Sequence, residues 1–299
     1  MTSPESCSQA SLAVGEPLPG TAPFATAWLI IEQEGPYGTK ALLESHLPEN
    51  VGRELTQRTD GTGIKPLLIR KPGPHADDHH QPQLRRVWWA YGVPGRVAMC
   101  TWATDDPQRL LELNLEALAL GDVDSVHADA VRDDVPLLLV CTHARRDVCC
   151  ARIGRPIALE LAAEPQWAGR VWETSHIGGH RFAPTMLQLP HGWIHGRLDH
   201  AGAIEVLEHA RDGLLPLYSA RGRSSLPPAA QAADIAIRTA HDIDGLDETT
   251  LAESPGVEGE WVVNTSNDSW TVRVDEVVGE ARPESCGKES ESVRSFSCR

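Results

Sequence analysis

No stretch of the 299 residues approaches the roughly 20 consecutive apolar positions that a membrane span needs. The opening "MTSPESCSQASLAVGEPLPG" has neither a basic start nor a long apolar run, so no secretion signal is expected and the expected location is cytoplasmic. Basic residues are also short: 27 Lys and Arg face 42 Asp and Glu, for a net charge of −15. Nucleic acid and anionic membrane are both polyanions, so neither is an expected partner. Such a surface keeps a protein soluble and can also steer it towards a basic protein partner. An even cysteine framework is missing too. The seven cysteines are Cys7, Cys100, Cys141, Cys149, Cys150, Cys286 and Cys298. An odd, scattered set without a secretion signal excludes a disulfide scaffold and turns attention to metal or redox chemistry. "GTG" at 61–63 is far too short for a phosphate loop. No pair of carboxylates stands out as a glycosidase dyad.

What is present reads as a globular protein, with 41% hydrophobic and 23% charged residues and length enough for two packed domains. "ATAWLIIEQ" (25–33) is a short, apolar, β-prone run, and "PLLIRK" (66–71) is another. Between them "KALLESHL", continuing towards Leu55, has helical spacing. "RRVWWAYG" and "RVAMCTW" flank the turn "VPG" and predict a hairpin. A helix is expected over 105–118, with an acidic N-cap and a proline in its first turn. Residues 119–134 read as a linker. The order then repeats: strand "VPLLLVC" (135–141), a helix from at least Pro156, strand "GRVWETS" (169–175), a hairpin around "HG" (191–192), and a helix over 203–215.

Strand, helix, strand, hairpin and helix, taken twice, predict an α/β protein with mixed sheet and two thioredoxin-like halves near 23–120 and 134–222. Residues 1–22 are expected to be a partly ordered lead-in. Residues 226–299 are expected to form a small α+β region: a helix from about Pro228, a hairpin, and a polar tail that adds an edge strand or stays flexible.

Chemistry concentrates in "CTHARRDVCC" (141–150) and "SHIGGH" (175–180). Cys141 ends one predicted strand and Cys150 opens the next helix. His176 and His180 follow the neighbouring parallel strand. Loops beyond the carboxyl ends of adjacent strands share a rim, so the four residues can converge there. Gly178 and Gly179 disfavour a helix between the histidines and favour a tight loop that turns both rings inward. Gly179 is also a candidate for close backbone approach to a cluster sulfide. Two thiolates and two imidazoles suit Zn(II) or a [2Fe–2S] cluster. Zinc cysteines usually stand two to four residues apart, whereas eight residues separate Cys141 from Cys150. Spacing leaves both metals open. Cys149 is an alternate ligand, a packed thiol or a redox-sensitive one. His143 reads equally as a neighbour of the site or as an exposed side chain.

"CTHARRDVCCA", "SHIGGHRFAPT" and "LPHGWIHGRLD" resemble the sucrase/ferredoxin-like family over about residues 20–215, and "RPESCGKE" does so more weakly. The matching positions are Cys141, His143, Arg146, Asp147, Cys150, His176, Gly178, Gly179, His180 and Phe182. Ala151 and Pro184 depart from the family's common choices without removing a ligand. The resemblance implies a [2Fe–2S] cluster with Cys141 and Cys150 on one iron and His176 and His180 on the other. It implies an electron carrier rather than a catalyst, served by a redox protein partner that the sequence does not identify.

Two neutral imidazoles in place of thiolates would take an oxidised core from a formal charge of about −2 to about 0 and raise its potential. An outer imidazole proton would couple electron uptake to proton uptake. Arg145, Arg146, Arg152, Arg155 and Arg181 crowd the two loops, either as a docking patch or, for Arg146, as an internal partner of Asp147. A thiol oxidoreductase and a zinc-stabilised binding module are the alternatives. The first is weakened by the absence of C-x-x-C at the relevant helix start. "HADDHH" (75–80) resembles a metal tract but sits in a polar, proline-flanked loop.

Overall fold

The computed structural model describes residues 6–73 and 84–299. The "HADDHH" tract lies outside the described residues.

The first strands are β1 (Ala27–Glu32), β2 (Ile64–Arg70), β3 (Arg85–Tyr91), β4 (Ala98–Thr104) and the short β5 (Val131–Arg132). β6 (Leu137–Cys141), β7 (Val171–Thr174), β8 (Thr185–Leu189), β9 (Trp193–Gly196) and β10 (Ala220–Arg223) follow. All ten form one mixed sheet in the order β10-β9-β8-β6-β7-β2-β1-β3-β4-β5. The α/β class is therefore as expected. β1 and β2 are parallel, and β3 and β4 continue antiparallel from β1. β6 and β7 are parallel, and β8 and β9 continue antiparallel from β6. One strand order thus occurs twice, as β2-β1-β3-β4 and as β7-β6-β8-β9.

The two half-sheets join where β2 meets β7, antiparallel and over two register pairs, Ile69 with Thr174 and Arg70 with Glu173. These pairs lie at the carboxyl ends of both strands. The ends that carry the loops of each half therefore meet at the middle of the sheet.

Alternation along the strands builds two faces. Trp28 and Ile30 of β1 join Leu67, Trp88, Leu139, Trp172 and Leu187 in one core that runs under both half-sheets. Ala27, Leu29 and Ile31 point the other way, into a core confined to the first half. Leu138, Val140 and Met186 do the same in the second half, beneath two helices described below.

Several helices differ from expectation. Residues 1–22 include a packed helix, α1 (Cys7–Ala13), with Cys7, Ser8 and Ser11 buried. The expected single helix after β1 is two, α2 (Ala41–Glu44) and α3 (Glu49–Thr59), because Pro48 disfavours helical backbone just before it. The helix expected over 105–118 is likewise divided. A 3₁₀ turn (Pro107–Glu112) is capped by Asp106, and α4 (Leu115–Ala119) is capped separately by Asn114. The expected linker contains a 3₁₀ turn and β5. α5 (Arg155–Ala163) and α6 (His200–Arg211) cover the second half. α7 (Pro228–Ala240) begins at the expected proline. It packs on a four-stranded sheet of β11 (Thr250–Glu253), β12 (Glu260–Asn264), β13 (Ser269–Pro283) and β14 (Ser290–Cys298). The polar tail is thus paired as β14. Among the described residues, no helix is long and apolar enough to cross a membrane.

Candidate metal centre

Cys141 is the last residue of β6, in register with Thr174 of β7. The chain then loops out and returns through a π-type turn, Cys150–Gly154, before α5. A Cβ on Gly154 would stand 2.6 Å from the Cys141 carbonyl oxygen, so this glycine lets the turn lie against the strand end. Both Cys141 and Cys150 are buried. Their side chains share a hydrogen bond. The bond from Cys150 holds the Cys141 thiol well below its usual range against the effect of burial, with further help from His176 and the backbone of His143 and Ile177. The same shared proton, with burial, pushes Cys150 well up.

The histidine loop leaves β7 and runs back beside β2. The Ser175 amide donates to the Leu68 carbonyl at 2.8 Å, and Lys65 Nζ donates to the Ile177 carbonyl at 2.8 Å. Gly178 and Gly179 adopt φ values of +122° and +75°, which L side chains rarely take. The His176 and His180 rings stack with centroids 4.7 Å apart. Nδ1 of each ring is buried without a hydrogen-bond partner. A buried nitrogen left without a partner is costly unless something accepts or donates to it.

The site is lined with positive charge from beyond the two loops. Arg221 of β10 donates to the Gly178 carbonyl at 2.8 Å and to Thr21 Oγ1 at 3.0 Å. Its Nη2 stands 2.2 Å from where a Cβ on Gly179 would be, so the glycine makes room for this guanidinium. Burial lowers Arg221 to about 9, with nearby Arg181 adding to the fall and Cys150, Glu16 and Cys141 opposing it. Burial also lowers Lys65 to about 8, again opposed by Cys141. Neither cation was anticipated. Each lies on a strand remote in sequence from both loops, and no local spacing marks it.

The first half-sheet closes the other side. His143 is buried rather than solvated, and its Nε2 donates to the Gly38 carbonyl at 2.7 Å. Tyr37 meets the His143 ring edge-on at 5.5 Å, and its hydroxyl donates to the Glu173 carbonyl at 3.1 Å. The Glu173 carboxylate accepts from Arg70 Nη2 at 2.9 Å and from Thr142 Oγ1 at 2.8 Å.

Cys149 stands apart from Cys141 and Cys150. Its sulfur lies 3.6 Å from that of Cys7 on α1 and 3.3 Å from that of Cys286 in the β13–β14 turn. Cys7 and Cys286 are 3.5 Å apart. Asp147 joins them: Oδ1 accepts from the Cys149 amide at 2.8 Å, and Oδ2 accepts from the Cys286 amide at 2.8 Å and Ser285 Oγ at 3.0 Å. Burial acts to raise this carboxyl, but these bonds together hold it down at about 2. Asp147 is thus held by its own loop and the β13–β14 turn and not by Arg146, which is exposed. The ligand atoms of Cys7, Asp147, Cys149 and Cys286 all lie within 4.8 Å of one another, close enough to hold a metal ion. Cys7 and Cys286 had no partner placeable from sequence, because the contacts span well over a hundred residues.

A comparison with known families decides the chain's affiliation: the sucrase/ferredoxin-like family model matches residues 18–218. The chain belongs to the sucrase/ferredoxin-like family. No curated protein and no solved structure matches it. The sucrase/ferredoxin-like match contains Cys141, Cys149, Cys150, His176 and His180, together with Lys65. It ends before Arg221, Cys286 and the four-stranded sheet, and begins after Cys7.

Proposed function

We propose that this sucrase/ferredoxin-like protein is an electron carrier holding a [2Fe–2S] cluster through Cys141, Cys150, His176 and His180. The observation that carries the reading is the donor set itself. The buried Cys141 and Cys150 thiols are hydrogen-bonded to each other, and the buried Nδ1 atoms of His176 and His180 lack partners. A bound metal would satisfy all four. The arrangement of strands in each half-sheet also suits a thioredoxin-like unit.

When bound, the cluster supplies one-electron chemistry at a potential set by its ligands and surroundings. The protein's own part is electrostatic. Lys65 and Arg221 place buried positive charge beside Cys141 and Cys150, which favours the thiolate forms and a more reduced state. Were the partnerless Nδ1 atoms the donors, each neutral imidazole would carry its proton on Nε2. In a cluster so held, that proton would couple electron uptake to pH. Arg145, Arg146 and Arg152 are exposed on the cysteine side and form a patch fit for an acidic redox partner.

An absorption spectrum of the full chain, purified without oxygen, tests the reading. Visible bands from iron and sulfide are expected, with iron and acid-labile sulfide in equal amounts. A colourless zinc protein would sink it. His176→Cys is expected to keep the cluster at a lower midpoint potential, and a wild-type midpoint independent of pH would remove the proton coupling.

A further inference from the structure

The group formed by Cys7, Cys149, Cys286 and Asp147 packs in the same core as Cys141 and Cys150, and it sets a buried carboxylate among its three sulfurs. Three sulfurs stand 3.3 to 3.6 Å apart in a near-equilateral triangle. A disulfide would use two and strand the third. The Asp147 carboxylate faces the triangle, with Oδ2 3.5 Å from Cys7 Sγ, and the two backbone amides that hold it lie on two of the cysteines themselves. Ser8 Oγ donates to Cys149 Sγ at 3.4 Å. Cys7, Cys149 and Asp147 are buried and Cys286 is partly so. Sulfurs around a tetrahedral zinc ion, bonded at about 2.3 Å, stand roughly 3.8 Å apart, a few tenths of an ångström wider than these thiols. A cation would need only to ease them outward.

We propose that Cys7, Cys149, Cys286 and Asp147 form a second metal site, mononuclear and structural, for a thiophilic divalent cation of the zinc type. On binding, the three thiols each release a proton to solvent, and the ionised Asp147 turns towards the ion the oxygen that now accepts from Cys7. Amide and hydroxyl donors already fix that carboxylate, as the outer shell of a metal ligand usually is. The site fastens three distant segments: α1, the loop that leads into Cys150, and the β13–β14 turn. A second device joins neighbouring segments. Buried Glu16 accepts from Arg181 of the histidine loop at 2.8 Å and from Arg282 of β13 at 2.8 Å. Two of the three thiols lie outside the residues matched by the family model, so the site is a feature of this chain and does not follow from the family match.

Metal analysis of the full chain, purified anaerobically with reductant, tests the proposal. About one zinc per chain is expected beside the iron. Cys7→Ser and Cys286→Ser should each lower zinc occupancy at least ~10-fold while iron, sulfide and the visible spectrum stay as in the wild type. Zinc-edge X-ray absorption of the wild-type protein needs no variant, and should show three sulfur neighbours and one oxygen. The proposal is overturned if the variants keep their zinc, if they lose iron in its place, if the zinc shell lacks sulfur, or if the reduced wild type fails to bind added Zn(II).

Discussion

At the end of β6 the chain turns into "CTHARRDVCC"; at the end of β1, the matching strand of the other half-sheet, it turns into "EQEGPYGTK". The strand order around the two is the same, and the loops share no chemistry. The first half's loop offers no sulfur. It offers Tyr37 and the Gly38 carbonyl, and both press on His143. A duplicated layout thus provides two rims, and the antiparallel β2–β7 junction brings them together. One rim carries the proposed donors and the other packs against their loop. The pairing teaches that function resides in what the strand ends present, not in the sheet that presents it. Four changes test how far the division of labour goes.

Acid should have the largest effect, and the second half should be its seat. His195 of β9 is fully buried between Ser219 Oγ at 2.9 Å and Gln188 Oε1 at 3.0 Å, and burial lowers it to about 3. No histidine stands on β1, β2, β3 or β4. The unfolded chain takes up this proton near pH 6.5, whereas the folded protein takes it only near 3. Between those values the unfolded state binds more protons, so stability falls as pH falls, by about 1.4 kcal/mol per pH unit from this residue alone. Urea titrations between pH 7 and 4 should show that slope, and His195→Gln should flatten it. An unchanged slope would move the acid sensitivity elsewhere.

The junction comes next. Glu173 is fully buried on β7, and its partner Arg70 on β2 is 11% exposed. Removing one charge from such a pair strands the other, at a cost of about 3 kcal/mol. Glu173→Gln should therefore lower the urea midpoint of the whole sheet in one transition. Two separate transitions in the variant would mean that the halves fold independently and only touch.

Much of the sheet was legible because strand-forming runs such as "AWLII" and "VPLLLVC" carry their own signal and repeat in the same order. The helices were less so. Pro48 and Asn114 divide elements whose apolar spacing runs on across the breaks. The cysteine and histidine loops were legible as one neighbourhood, since both follow parallel strands of one sheet. Their surroundings were not. Lys65, Arg221, Cys7 and Cys286 reach the region through tertiary contacts, and nothing near them in sequence says so. Gly179 shows the limit well: the close approach to the Arg221 guanidinium has no local signal in the sequence.

That approach gives a paired test. Gly61 and Gly179 have similar left-handed φ values, +70° and +75°, but a Cβ on Gly61 meets open space. Gly61→Ala should cost only the backbone strain, about 1 kcal/mol. Gly179→Ala must also displace a buried guanidinium and should cost roughly 2 kcal/mol, since strain at such a position adds to the loss of fixed contacts. Thermal melts of the two variants should separate in that order, and Gly179→Ala alone should reduce bound iron.

Tyr37→Phe is the mildest change and the sharpest on the division between the rims. It removes one hydroxyl, the donor to the Glu173 carbonyl, and leaves the ring against His143. A neutral hydrogen bond of this kind contributes about 1 kcal/mol. If the first half's loop serves only to hold the cysteine loop, the variant should lose about that much in urea, with an unchanged slope, and keep its full iron content and visible spectrum. Loss of iron at so small a cost in stability would place Tyr37 in the metal centre itself, and the two rims would then share one function.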